Sequence, residues 1–492
     1  MAVTVRHHRG VSIHGPLGEL ADELGDLAVL RSTVDDPLAS YSTPARGPGG
    51  APADVVRPAS TDEVRTVVRW ARTHRIRLLP QGANSGLVGA STPPSDRRAP
   101  DGTASNSPAS NGPASADRPL VVLSTERLVD GLEIDATDRT AIVPAGVRLS
   151  TLNEAAGRHG LWFPIDLAAD PAIGGMVATN TGGARMLRHG DVRRRTLGVE
   201  VVLADDDVSV VDTLRTFRKN NTGIDLTGTF VGSSGRFGII TRVAVDLAVV
   251  PAETACLLAP LHRAEDAIAL LLHLESALGE TLAAYEVMSA AAIDAAAAIG
   301  RGSPCGSAPF TVLVEVAGAG ATAELLERAV TSSPVPLDDA VVLPDDRAWA
   351  VRHAITDGLR TLGTVLGHDV AVPRRNLPAF RQRVVDEVAV RWPDAVVADF
   401  GHWGDGGVHC NIVLPPTTPP VELDELRAEV RDTVFTIAVD GFGGSYSAEH
   451  GIGPGTATWW RRHTDPAQQR AIATLAATCD PLGVLGHPGL PY

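Results

Sequence analysis

The sequence has almost no lysine: among its 43 basic residues only Lys219 is not an arginine. Any cationic role in a site therefore falls to arginine, and the bias suits a GC-rich coding sequence of bacterial type. Positive charge is short overall, with a formal net charge of -15. That excludes a sequence-independent grip on nucleic acid or on an anionic membrane surface, because both need a cationic footprint. Cysteine is scarce too, and Cys256, Cys305, Cys410 and Cys479 stand far apart without a CxxC pair. Neither a disulfide framework nor a thiolate zinc site is expected, and a reducing cytoplasm fits. Long apolar runs are missing. The opening MAVTVRHHRGVSIHG lacks the apolar core of a secretory signal. The Ala-rich stretch 283–299, broken by Glu286 and Asp294, reads as a buried helix rather than a membrane span. Two nucleotide signatures are absent as well: no GxGxxG sits between an early strand and a helix, and there is no P-loop.

What is present points to a globular chain of two or three packed units, since 492 residues exceed what one core supports. Residues 1–50 read as an N-terminal helical arm ending in the turn-rich TPARGPGGAP. A strand follows, then a helix over 61–74, then the apolar strand IRLLP running into QGANSG. Residues 91–118 are a Pro/Ser/Ala/Gly stretch with little to bury and read as a disordered insertion. PLVVLS, GLEIDAT and TAIVPAGV are short β segments, a helix is expected over 150–159, and PFTVLVEVAG lies in a second Ala/Leu/Val-rich region.

Three glycine-rich segments offer bare backbone: PQGANSG at 80–86, IGGMVATNTGG at 173–183 and VGSSGRFGIIT at 231–241. One alone reads equally well as a turn. Three together can bring main-chain N–H groups around a pyrophosphate without any lysine. In this order they resemble the FAD domain of the vanillyl-alcohol oxidase/p-cresol methylhydroxylase superfamily. The resemblance implies that Pro80, Gln81, Gly82, Ala83, Asn84, Ser85 and Gly86 wrap the pyrophosphate, and that Pro144, Ala145 and Gly146 form the family's PAG turn. It further implies that Gly174, Gly175, Thr179, Asn180 and Gly183 border the isoalloxazine and ribityl chain, with Gly232, Ser233, Gly238, Ile239 and Ile240 on the adenine side. The first loop contains no histidine or cysteine to tether a flavin, so FAD is expected to be non-covalent.

HWGDGGVHCN sets His402 and His409 seven residues apart around Asp405, and AEHG adds Glu449 and His450. Two imidazoles and a carboxylate with an open position make a catalytic zinc set, in which the metal polarises a bound oxygen. An isolated histidine more often satisfies a buried group; clustering among glycines favours the site. With SAEHGIG, these residues resemble the C-terminal half of FAD-linked D-lactate and D-2-hydroxyglutarate dehydrogenases, which carry HxGDGNxHxN and SxEHGIG. The resemblance implies His402, His409 and Glu449 as ligands of a divalent metal, expected to be zinc. It implies His450 as the base taking the hydroxyl proton while hydride leaves for flavin N5, and Asn411 as a substrate contact. WAVRHAIT matches the family's WxxRExxT, which makes Arg352 the partner of a substrate carboxylate and Thr356 its neighbour.

The match has gaps. Gly407 stands at the usual Asn, and His353 replaces the Glu after Arg352. LGHDVAVP has Gly367 and His368 before Asp369, where the hydroxyglutarate enzymes carry a lysine for the distal carboxylate, and His487 sits at the Asn of the family's NPGK. Arg374 and Arg375 are two candidates to replace that cation, against the plainer reading of surface charge.

The fold expected is α+β: a two-subdomain FAD-binding domain of the vanillyl-alcohol oxidase type over 51–250, an α+β substrate or cap domain over 251–440, and a C-terminal helical segment over 441–492 that returns to the flavin. The activity expected is FAD-dependent oxidation of a small 2-hydroxy acid. The competing readings are an FAD enzyme of specialised metabolism acting on another alcohol or amine, and a decayed binding module. No motif encodes the electron acceptor, and a homodimer is compatible with the sequence.

Overall fold

The computed structural model describes residues 14–33, 38–46, 49–94, 118–167, 169–306 and 308–492. The central part of the 91–118 stretch lies outside them. Ser60 caps the helix Thr61–His74 by accepting a hydrogen bond from the Glu63 amide at 3.2 Å, and Glu63 reaches back to the Ala59 amide at 2.8 Å. The helix buries Val64, Val67, Val68 and Ala71 and hands over to the strand Arg77–Gln81. That strand runs parallel to Leu120–Ser124, which is parallel to Asp54–Val56; Val29–Leu30 closes the sheet antiparallel. The QGANSG loop therefore leaves the carboxyl end of a parallel strand, the usual side for ligands in such sheets. A second, five-stranded antiparallel sheet runs Glu133–Asp135, Thr140–Pro144, Ile239–Asp246, Thr196–Val202, Val210–Asp212.

Both sheets share one apolar core, which also takes in Ala476, Cys479, Val484 and Leu485 from the C-terminal region. The described part of the N-terminal arm packs on the same core. Its helix His14–Leu24 buries Leu17 and Leu20 in that core, and Pro16 accepts a hydrogen bond from the Trp70 indole at 2.8 Å.

The second half is built on an eight-stranded antiparallel sheet in which Phe310–Gly318, Leu282–Ser289, Phe400–Gly401 and Gly407–Leu414 follow one another and Thr364–Ala371 ends the row. Apolar clusters cover both faces: Tyr285 and Val287 enter one, Ala284 and Met288 the other. This corrects the reading of 283–299 as one helix. The stretch is a fully buried strand, Leu282–Ser289, followed by the helix Ala290–Ala298. With both faces buried the strand has no polar alternation to set it apart from a buried helix. No helix among the described residues is long and apolar enough to cross a membrane.

Candidate active site

The site grows from one strand pair. Thr364–Ala371 and Gly407–Leu414 are in antiparallel register with Asp369 opposite His409 and Gly367 opposite Asn411. Because side chains alternate, these four positions share one face. His402 arrives from the tight turn after Phe400–Gly401, where its carbonyl accepts from the amides of Asp405, Gly406 and Gly407 at 3.0–3.1 Å. Gly406 has φ +99° and a side chain on it would strike the Val372 carbonyl at 2.6 Å, so this turn needs glycine. Asp405 accepts from the Gly407 amide at 2.9 Å and braces the turn. Asp369 Oδ2 then pins the remote AEHG segment by accepting from the amides of Glu449 at 2.8 Å and His450 at 2.9 Å.

The result brings His402, His409 and Glu449 together. His402 Nε2 and His409 Nε2 are 3.2 Å apart, and each lies 3.5 Å from Glu449 Oε1. Bonds of about 2.0–2.2 Å at tetrahedral angles separate donors by about 3.3–3.6 Å, so this triangle has the edges of a zinc-type site. A looser set, Asp369, His409, Glu449 and His450, lies within 4.8 Å. The tighter triangle is the better ligand set, and Asp369 the better brace: its Oδ1 is buried without a hydrogen-bond partner, 3.7 Å from His409 Nδ1. His450 stacks on His409 with ring centroids 5.9 Å apart and its Nδ1 3.5 Å from Asp369 Oδ2.

Glu286, fully buried in the central strand, ties the cluster to the next functional group. Its Oε1 makes a very short contact with His402 Nδ1, and its Oε2 accepts from Arg352 Nε at 2.6 Å. Burial pushes the Glu286 carboxyl up, but His402 and then Arg352 outweigh it and hold it down at about 2. Burial opposes charge on His402 as well, yet Glu286 and Glu449 raise its pKa well above the imidazole range. His409 moves the other way, depressed by burial and by the neighbouring His402, Arg352 and His450 against the pull of Glu449. Burial likewise pushes Glu449 up, but His402, His409 and His450 hold it well below the carboxylate range. The two imidazoles, 3.2 Å apart between the Glu286 and Glu449 carboxylates, are thus pushed in opposite directions, with His402 the one that favours positive charge.

Arg352 projects from the helix Asp345–Leu362 and lies over the Phe400 ring, 4.3 Å from its centroid. Thr356, one turn on, shares its helix face and is exposed. His353 points elsewhere, stacked on Trp349 at 5.5 Å. Asn411 is buried, donating from Nδ2 to the carbonyls of Ala398 and His409 at 3.2 and 3.1 Å.

The glycine segments meet one another beside this cluster. Gly174 donates to the Ala145 carbonyl and Ala145 to Thr241, both at 2.9 Å; Gly232 and Ser234 donate to Val177 and Ala178 at 2.9 and 2.7 Å. A side chain on Gly82 would contact Ala172 and Gly175 at 3.4 and 3.5 Å, and one on Gly174 would strike Ala145 at 2.6 Å. Gly182 abuts Glu449: a side chain there would lie 2.7 Å from Glu449 Oε2. Not every predicted contact has a free side chain. Gln81 Nε2 donates to the carbonyls of Tyr41 and Ser91 at 2.9 and 2.6 Å, and Asn84 Nδ2 to Thr43 at 2.9 Å. Thr179 Oγ1 bonds Gly175 and Thr181, and Asn180 bonds Asp191. The Pro80 ring packs on Gly235, where a side chain would lie 3.0 Å from it; a side chain on Gly183 would lie 2.8 Å from the Asp166 carbonyl; Ser233 is buried, and Ala83, Ser85 and Gly86 continue the first loop. At Gly146 and Gly238 close packing demands glycine, against Thr125 at 2.1 Å and Val201 at 2.4 Å; Pro144, Ile239 and Ile240 are strand residues.

Sequence reasoning passed over Glu286 as a functional group and used Asp369 only as a landmark. The signal for Glu286 was a lone carboxylate inside the apolar run LAAYEVMS.

A family of FAD binding domains matches residues 52–97 and 103–212, and the family "FAD linked oxidases, C-terminal domain" matches 250–488. The mitochondrial D-2-hydroxyglutarate dehydrogenase of Bos taurus is 31% identical over 450 residues, spanning 89% of this chain and 76% of that protein. The D-2-hydroxyglutarate dehydrogenase of Stutzerimonas stutzeri (strain A1501) is 29% identical, spanning 89% and 90%. Among solved structures, p-cresol methylhydroxylase with substrate bound superposes with a TM-score of 0.70 at 16% identity over 98% of both chains. The 4-ethylphenol oxidase from Gulosibacter chungangensis does so at 0.68 and 19% over 97% of both, a likeness of fold. With the glycine loops and the His402 cluster in place, the chain belongs to the FAD-linked oxidases of the vanillyl-alcohol oxidase/p-cresol methylhydroxylase fold, as a 2-hydroxy-acid dehydrogenase-like oxidoreductase.

Proposed function

We propose that the chain oxidises a small D-2-hydroxy acid to the 2-oxo acid, with non-covalent FAD as two-electron acceptor and a divalent cation, zinc by preference, at His402, His409 and Glu449. The observation that carries this reading is the 3.2–3.5 Å donor triangle set beside both His450 and Arg352. FAD supplies hydride acceptance, and the cation supplies Lewis acidity toward the substrate hydroxyl.

The chain's residues do the rest. Arg352 spends its Nε on Glu286, which leaves both terminal nitrogens for a fork onto the substrate carboxylate. Glu286 sets His402 by accepting at Nδ1, so that Nε2 faces His409 and Glu449. Asp369 faces His450 Nδ1, which favours the tautomer protonated there and frees Nε2 to take the hydroxyl proton. Oxidation removes the C2 hydrogen with its electron pair, which FAD would accept as hydride, and the hydroxyl proton, which passes to His450. Gly182, pressed against Glu449, brings the 173–183 loop to the proposed ligand set. The test is anaerobic reduction of the flavin with a panel of D- and L-2-hydroxy acids, alcohols and amines. Bleaching by a D-2-hydroxy acid alone is expected; bleaching only by an amine or a plain alcohol refutes the proposal.

A further inference from the structure

The strand face that carries Asp369 and His409 has a second polar notch two register pairs further along, at Gly367 and Asn411. Two residues of strand are about 7 Å, the span of a short diacid. A side-chain carbon built on Gly367 would lie 2.9 Å from Arg46 Nη1 and 2.9 Å from Asn411 Oδ1. The guanidinium of Arg46, from the N-terminal segment, thus occupies the space that Gly367 leaves open. That segment is held there by the QGANSG loop, through Gln81 onto Tyr41 and Asn84 onto Thr43.

Arg46 is exposed as a whole residue, but its charge is poorly matched. Desolvation and then Arg360 lower its pKa, with only Asp369 pulling the other way. No ion pair joins Arg46 to a carboxylate among the described residues, and Asp369 already accepts two amides. Arg374, by contrast, is paired with Glu275 and bonded to the Gly404 carbonyl, so it is not the replacement cation.

We propose that Arg46 binds the second carboxylate of a dicarboxylic 2-hydroxy acid and its 2-oxo product, making the N-terminal segment the determinant of chain-end specificity. This rests on the 2-hydroxy-acid reading for its chemistry, but binding alone tests it. The probes are 2-oxoglutarate and pyruvate, titrated into the FAD-loaded protein by calorimetry and by the shift of the flavin visible bands. In the unmodified protein 2-oxoglutarate binds more tightly. Arg46→Gln weakens it about 10- to 100-fold, the range for losing one charge-assisted pair, and changes pyruvate by no more than about twofold. Arg46→Lys retains most of the preference, and adding Gly367→Lys to Arg46→Gln restores it, which a merely structural role for Arg46 does not predict. Should Arg46→Gln lose FAD, Gly367→Val displaces the guanidinium and gives the same readout. Equal weakening of both keto acids, or no preference in the unmodified protein, overturns the proposal. If the hydroxy-acid panel leaves the flavin oxidised while the Arg46-dependent preference holds, the proposed reaction falls and this subsite stands; flavin bleaching without that preference has the reverse meaning.

Discussion

Replacing Glu286 by glutamine changes one atom type in a carboxylate that touches two functional groups. Glu286 is 0% exposed and bridges His402 Nδ1 and Arg352 Nε. Its pKa is held at about 2 against an ordinary 4.5, after burial has been overcome by His402 and Arg352. A shift of that size corresponds to about 3 kcal/mol of stability at neutral pH, in line with the ~3–5 kcal/mol lost when one partner of a buried pair is removed. Because the folded pKa is the lower one, this stability is present above about pH 4.5 and is lost as pH falls toward 2. Glutamine also upsets the imidazole. If its amide donates to His402 Nδ1, the ring proton moves to Nε2, where the cation is proposed to bind; if it turns over, its NH2 meets the guanidinium. Glu286→Gln should therefore bind zinc about 10- to 100-fold more weakly in chelator competition. It should also melt earlier and keep its FAD. A variant that binds zinc and melts like the unmodified protein refutes the role given to Glu286.

His402→Ala and Glu449→Ala are expected to lose bound metal and turnover while retaining FAD, read by elemental analysis and the flavin spectrum; loss of FAD with metal unchanged contradicts that division. His189 is buried among arginines, and desolvation, then Arg195, Arg188, Arg185 and Arg194 depress its pKa from 6.5 to about 3. The unfolded chain then takes up the proton first, so stability falls as pH drops below 6.5, by at most about 1.4 kcal/mol per unit. His189→Gln should flatten the melting temperature against pH between 6.5 and 3, and an unchanged slope counts against it. At Gly358 a side chain would lie 2.1 Å from the Ala295 carbonyl, where the helices Ala290–Ala298 and Asp345–Leu362 cross. Gly358→Ala should cost about 1–3 kcal/mol and disturb Arg352 on the same helix, seen as a lower melting temperature and a raised KM; full wild-type stability argues against that crossing.

Local features carried much of the reading. The Ser60–Glu63 cap, the three glycine loops and the HWGDGG and AEHG motifs each draw their meaning from residues close in sequence, so the flavin-linked family and its mixed α+β fold were legible without coordinates. Other features exist only through distant contacts. Glu286 meets Arg352 across 66 residues of chain and His402 across 116, and nothing local marks a buried carboxylate's partners. Burial on two faces erased the strand pattern of Leu282–Ser289, and what remained looked helical. Arg46 acquires its setting only where the N-terminal segment crosses the Thr364–Ala371 strand at Gly367. Residue type and short-range spacing decided which chemistry this chain can do. The packing of strands far apart in sequence decided which groups stand within bonding distance, because the distances that set pKa, ligand geometry and charge balance are properties of the folded sheet rather than of the chain.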